Sequence, residues 1–250
     1  MSKPVIVFAP GAWHTPDCFD IVRDQMHARG WTTEAVAYPS IGGEPPYKSL
    51  PDDAAAVRAK LEELADQGKD IVLVVHSYGG LVGANAVEGL GYEQRKRAGK
   101  EGGVIMFVYL SAFVAPKGTS IHDMLGGQFL PWMKFNGDIC TPDTPEAIFY
   151  HDVEPKLQAD AISKLKHTSA TVFSSPVTYE PWHDMPTFFL YCDADAALPL
   201  PVQEQFVALL GAGATTFHSK GSHSPFLSVP EEVVEGLELA AKTGLEKKSA

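Results

Sequence analysis

Positive charge is scarce in this 250-residue chain, where 20 Lys and Arg stand against 31 Asp and Glu for a formal net charge of −11. Such a surface repels phosphate backbones and anionic headgroups, so neither nucleic acid nor a membrane is an expected partner. Cysteine is scarcer still. Cys18, Cys140 and Cys192 are odd in number, far apart and free of any C-x-x-C spacing, which argues against a disulfide framework and a cysteine zinc site. A reducing, cytoplasmic setting is the expectation. A long apolar run is missing where a leader would lie: "SKPVIVFAPG" offers only about five apolar residues before a proline, too few for a signal peptide or a membrane span. Internal repeats and low-complexity tracts are absent as well.

What is present is a hydrophobic fraction of 45%, enough for one sizeable core in a single domain or a domain carrying an insertion. The runs "PVIVFA", "TTEAVAY", "DIVLVV" and "GVIMFVYL" are rich in β-branched residues and suit strands of a parallel sheet covered on both faces. Between them, residues 17–29, 49–67 and 78–90 carry apolar residues at helical spacing. "SLPDDAAAVRAKLEEL" opens with Ser49, Pro51 and two aspartates, as a helix start should.

From residue 112 to 185 this rhythm stops. Gly126-Gly127, frequent proline and many aromatics occupy the segment, with short helices expected over 145–150 and 155–164. It is expected to be a helical cap inserted over the edge of the sheet. The alternation then resumes with "TFFLYC", a helix over 201–210, "ATTFHS" and a last helix over 230–242, before a tail, "EKKSA", expected to fray. The expected fold class is α/β, a doubly wound, mostly parallel sheet, with residues 1–111 and 186–250 as core and 112–185 as cap. Ligands of such sheets sit at the carboxyl ends of the strands.

"VVHSYGGLVG" puts Ser77 between a strand and a helix, the context of a nucleophile elbow. Gly79 and Gly80 supply the small residues such a strained turn needs downstream, whereas Val75 breaks the upstream half of G-x-S-x-G. The stretch is not a dinucleotide loop, because G-x-G-x-x-G spacing and a ribose-binding acid are both lacking. A serine hydroxyl needs a histidine to take its proton, and the imidazole needs a carboxylate to fix its tautomer. "CDADAALP" and "GSHSPF" supply Asp195 and His223 in the order Ser, Asp, His. Asp195 is preferred to Asp193 because it lies further into its loop. His76 is expected to pack beneath the turn, and His218 at the surface. Gly11 in "APGAWHTPDCF" allows a tight turn after the first strand, so the amides of Ala12 and Tyr78 are the expected oxyanion donors.

Taken together, "PGAWHTPDCF", "VVHSYGGLVG", "CDADAALP" and "GSHSPF" resemble the α/β-hydrolase superfamily, in particular its compact branch of plant methyl esterases, hydroxynitrile lyases and related microbial esterase-like proteins. "FYHDV" and "PVTYEPWHDMP" are similar to that branch's cap and its return to the sheet. The resemblance implies Ser77 as nucleophile, Asp195 as acid, His223 as base and Ala12 and Tyr78 as amide donors. It also exposes departures. Pro10 replaces the usual histidine, and Gly11 and Ser224 stand where lyases carry a threonine and a lysine. A lyase needs that cation to hold departing cyanide, so its loss favours ester hydrolysis.

Gly11, Trp13, His14, Phe113, Phe129, Trp132 and Trp182 are the expected substrate-binding residues, forming an apolar, aromatic pocket. The pairs His122-Asp123, His151-Asp152 and His183-Asp184 do not make a metal site, because adjacent side chains diverge, and no metal or cofactor is expected. The expectation is a serine hydrolase cleaving a small, mostly apolar carboxylic ester or lactone through an acyl-enzyme. A carbon-carbon lyase in the same pocket and a small-molecule receptor with a vestigial triad are the alternatives. A homodimer is allowed but not specified.

Overall fold

In the computed structural model, which describes residues 3–249, the strands are β1 Val5–Ala9, β2 Thr32–Ala35, β3 Asp70–Ser77, β4 Gly103–Ala112, β5 Met133–Asn136, β6 Ile139–Pro142, β7 Thr168–Ser169, β8 Thr187–Cys192 and β9 Thr215–Ser219. The helices are α1 Asp20–Ala28, α2 Leu50–Asp66, α3 Gly79–Val87, α4 Tyr92–Arg97, α5 Ile121–Met124, α6 Pro145–Ile148, α7 Pro155–Lys164, α8 Leu200–Leu210, α9 Pro225–Ser228 and α10 Pro230–Ser249. Six strands form one parallel sheet in the order β2-β1-β3-β4-β8-β9. The strand order reverses between β1 and β3, the crevice where open α/β sheets bind ligands.

Period-2 alternation sends side chains to the two faces of the sheet. Ile6, Phe8, Val72, Val74, Val108, Leu110, Phe188 and Leu190 pack under α1 and α10 with Val22, Met26, Val233 and Leu237. Val7, Leu73, Val75, Phe107, Tyr109 and Phe189 pack on the opposite face under α2 and α3. Each central strand is therefore buried on both sides, which is why its sequence shows unbroken apolar residues. Helix α2 begins as expected, with Ser49 and Asp52 forming a reciprocal capping box.

Two expectations need correction. The stretch between β4 and β8 is not purely helical, since β5, β6 and β7 form a small antiparallel sheet there. Asn136-Gly137 between two β-compatible runs was the available hairpin signal. The last helix does not stop at residue 242, and of the tail expected to fray, 246–250, residues 246–249 are helical while 250 lies outside the described residues. Helix α10 continues to Ser249, anchored by Lys248, whose Nζ donates to both Asp70 oxygens at 2.7 and 2.8 Å and lies 4.4 Å from the Tyr92 ring.

The broken elbow motif has a steric answer. A Cβ on Gly83 would come within 2.4 Å of Val75 Cγ1 and 3.0 Å of Phe107 Cζ. The bulk that Val75 adds to β3 is thus accommodated by a missing side chain six residues beyond Ser77, on α3. Gly83→Ala is expected to destabilise the fold by about 1–3 kcal/mol through overpacking. Combined with Val75→Gly it should cost less than the sum of the single changes, by about 1 kcal/mol or more. Urea unfolding of the four proteins checks this, and strict additivity would refute the compensation.

Candidate active site

Ser77 ends β3 with φ of 52°, in the left-handed region that costs a non-glycine residue about 1–3 kcal/mol. Its neighbours explain how the turn is held. A Cβ on Gly79 would lie 2.6 Å from the Ala9 carbonyl oxygen, and one on Gly80 would lie 2.1 Å from that of Phe113, so no larger residue fits either position. Gly11 plays the same part from β1's side, where a Cβ would meet His76 Nδ1 at 2.9 Å and Ser77 Cβ at 3.0 Å. Its role is clearance for the loop beside Ser77 rather than substrate contact.

The loops after β8 and β9 bring Asp195 and His223 together. His223 Nδ1 donates to Asp195 Oδ2 at 2.7 Å, with both side chains all but inaccessible. Asp195 Oδ1 accepts the Ala197 and Leu198 amides at 2.7 and 2.8 Å, and Ser111 Oγ donates to Oδ2. At the ends of the same two strands, the discarded alternatives pair with each other: His218 Nδ1 lies 2.7 Å from Asp193 Oδ1 at the surface, with 55% of the His218 side chain exposed. His76 packs beneath the turn as expected, its Nε2 donating to the His223 carbonyl at 2.8 Å.

Ser77 lines one cavity together with Ala197 and Leu198, whose amides hold Asp195. Among the described residues, however, no hydrogen bond closes Ser77 Oγ onto the imidazole. Catalytic hydrogen bonds are often long without substrate and tighten once it is bound. Ala12 and Tyr78 both line the cavity at Ser77, and their amides donate to no protein group among the described residues.

That cavity has a volume of about 30 Å³ and is lined by Ala12, Trp13, Ser77, Tyr78, Phe113, Trp132, Phe173 and aliphatic side chains. At about 10–15 Å³ per water it holds about two waters. Of the expected substrate-binding residues, Trp13, Phe113 and Trp132 line it and the rest do not. Phe129 turns aside to pack on Phe135 at 4.3 Å and His122 at 4.7 Å. Trp182 lies in the short turn Pro181–His183 that leads into the amino end of β8, away from the carboxyl edge. His14 is spent elsewhere: its Nδ1 donates to the Ala12 carbonyl at 2.7 Å, Tyr150 Oη donates to its Nε2 at 2.8 Å, and it lines a separate cleft of about 240 Å³ beside α7.

Sequence reasoning missed Ser111, whose signal was a hydroxyl at the carboxyl end of the strand next to Ser77. It also missed Asp152 and Phe149, which grip the residue before His223: Ser222 N donates to Asp152 Oδ2 at 2.8 Å and Ser222 Oγ donates to the Phe149 carbonyl at 3.0 Å. Among the described residues no group of three or more His, Cys, Asp or Glu converges as metal ligands would. No helix there is long and apolar enough to cross a membrane.

Comparison with known proteins gives the family. The model of the α/β-hydrolase family matches residues 6–236. The chain belongs to the α/β-hydrolase family. An α/β-hydrolase, nvfD, of Aspergillus novofumigatus is 31% identical over 98% of this chain and 100% of its own length. A probable hydrolase, R7, of a Phoma species is 25% identical over 93% and 96%. Among solved α/β-hydrolase-like structures, the pyrethroid hydrolase of Sphingobium faniae shares the fold with a TM-score of 0.76 at 19% identity, over 98% of this chain and 100% of its own. Polyneuridine aldehyde esterase does so with a TM-score of 0.74 at 16% identity, over 95% and 99%.

The buried imidazoles of this α/β-hydrolase set a pH dependence. Burial pushes the pKa of His14 from 6.5 down to about 4 and that of His76 well below its usual value, with the His223 imidazole adding to both shifts. Between pH 6.5 and about 4 the unfolded chain therefore binds more protons than the native one, so stability rises with pH through that window and is lost as pH falls through it. Burial raises the pKa of Asp53, which acts with the opposite sign just above the usual carboxylate range. His14→Gln should flatten the dependence of unfolding free energy on pH by up to about 1.4 kcal/mol per pH unit. Urea unfolding of both proteins between those limits tests this, and parallel curves would mean that His14 is not held neutral.

Proposed function

We propose that this α/β-hydrolase is a serine carboxylesterase acting on small, mostly apolar esters or lactones through an acyl-enzyme. The observation that carries the reading is the buried 2.7 Å bond between Asp195 and His223 next to a serine with φ of 52°. Asp195 holds the Nδ1–H tautomer, leaving Nε2 as base. Ser77 Oγ attacks the carbonyl carbon as His223 takes its proton, and the Ala12 and Tyr78 amides receive the negative charge on the carbonyl oxygen. Collapse expels the alcohol, which takes the proton back from His223. Water, deprotonated by the same imidazole, then releases the acid.

Three further features support hydrolysis of an apolar substrate. The cavity lining bears no cationic side chain that would hold a departing cyanide, which weighs against the lyase alternative. Its walls are aromatic and aliphatic, suited to a neutral acyl group. Both curated relatives carry hydrolase names, and the fold neighbours include an esterase and a pyrethroid hydrolase.

With p-nitrophenyl butyrate the protein should release a burst of nitrophenol and take one fluorophosphonate label per chain. Ser77→Ala should lose the label and at least about 1,000-fold in kcat, since a nucleophile acts as a unit with its base. Undiminished turnover in that variant would end the proposal.

A further inference from the structure

The loop Gly11–His14 is held by contacts that its proposed task does not itself require, all of them made to or through the stretch between β4 and β8. Trp13 has φ of 66° although it is not glycine. Its N–H donates to Thr168 Oγ1 at 2.8 Å, its carbonyl accepts the Lys166 amide at 3.0 Å, and its indole Nε1 donates to the Cys140 carbonyl at 3.0 Å. One residue back, the Ala12 carbonyl accepts Nδ1–H of His14. Thr168 and His14 thus grip the two ends of the same peptide unit, the Ala12 carbonyl on one side and the Trp13 amide on the other. A peptide unit is planar, so holding both ends fixes its rotation; the Ala12 N–H belongs to the preceding Gly11–Ala12 unit and is joined to this fixed unit through the Ala12 Cα alone, so the grip restricts it from one residue away.

We infer that His14, Thr168 and Tyr150 are positioning residues that aim the Ala12 amide at the oxyanion. His14 does this as a neutral imidazole. A carbonyl can only accept, so Nδ1 carries the proton, Nε2 is left as acceptor, and the Tyr150 hydroxyl donates to it at 2.8 Å. Tyr150 and Thr168 both belong to the stretch between β4 and β8, so that stretch sets the donor from two directions. Thr168 is fully buried, which leaves the Trp13 amide no water to turn to if its acceptor is removed. The groups facing His14 are His76, with ring centroids 6.0 Å apart, Phe149 at 5.6 Å, and Asp17 on the rim of the neighbouring cleft. The substrate cavity does not include His14, so its effect on turnover is exerted through Ala12.

The inference rests on the oxyanion role proposed for Ala12, and the experiment separates the two. Thr168→Val, Thr168→Ser and Tyr150→Phe are compared with the native protein by ester kinetics and by the backbone amide resonance of Ala12. Thr168→Val should lower kcat at least tenfold and Tyr150→Phe about threefold, with KM within twofold in both. Thr168→Ser should return kcat to within threefold of native. The Ala12 resonance should move in Thr168→Val and in Tyr150→Phe, although Tyr150 contacts neither Ala12 nor Trp13 through a hydrogen bond. An unmoved Ala12 resonance in both variants overturns the inference whether or not the protein is active. So does a moved resonance with unchanged kcat, or a change confined to KM. If the native protein hydrolyses no ester but the Ala12 resonance moves in the variants, the clamp stands and the esterase reading falls instead.

Discussion

The carboxylate of Asp195 accepts four hydrogen bonds, and the rest of the site depends on their convergence. It is buried and, among the described residues, forms no ion pair with a lysine or arginine, so its oxygens are satisfied by aimed donors. Those donors come from three places in the chain: Ser111 at the end of β4, the Ala197 and Leu198 amides of its own turn, and His223 beyond β9. The parallel sheet makes the meeting possible. Registers Leu110↔Leu190 and Cys192↔Ser219 bring the ends of β4, β8 and β9 to one edge, and the elbow at the end of β3 lies beside them. Ser111 adopts φ of 38° to reach that carboxylate, a second strained serine beside the first. The apolar packing on both faces of the sheet offsets these local costs.

The stretch between β4 and β8 is part of this machinery as well as its cover. Trp132 and its aliphatic neighbours fill the cavity to about 30 Å³, so an ester of the proposed kind would enter only if the side chains nearest Ser77 gave way. Other parts of the same stretch are fastened to the core: Thr168, Lys166 and Cys140 to Trp13, and Phe149 and Asp152 to Ser222. Phe149 also lies 5.6 Å from the His223 ring. A cover that opened by lifting as one body would break the bonds that set the oxyanion loop and the histidine loop. The cavity-lining segment from Ile121 to Met133, by contrast, makes its backbone bonds largely within itself.

The sheet was legible because β-branched runs bounded by turn residues have few other solutions, and the elbow because only a strand-turn-helix places serine ahead of two glycines. Asp195 was preferred to Asp193 and His223 to His218 on chain order and loop position; the structure pairs Asp195 with His223 in the interior and Asp193 with His218 at the surface. Val75 was legible as a departure but not as a resolved one, since its partner Gly83 is defined by distance across a helix-strand contact. His14, Phe129 and Trp182 were assigned to the substrate by residue type. Where an aromatic ring points depends on packing that no local pattern encodes, as the Phe129–Phe135 and His14–Tyr150 pairs show. Ser111, Thr168 and Asp152 are common polar residues that matter only through partners 84, 155 and 70 positions away.

The central claim is that Ser77, His223 and two backbone amides surround one reacting carbonyl. A crystal structure of the protein after phosphonylation by a fluorophosphonate tests it most directly. The account predicts phosphorus bonded to Ser77 Oγ, its oxygen about 2.7–3.1 Å from both the Ala12 and Tyr78 nitrogens, and His223 Nε2 within hydrogen-bonding distance of Ser77 Oγ. A phosphoryl oxygen turned away from those amides, or an adduct on another side chain, would contradict it.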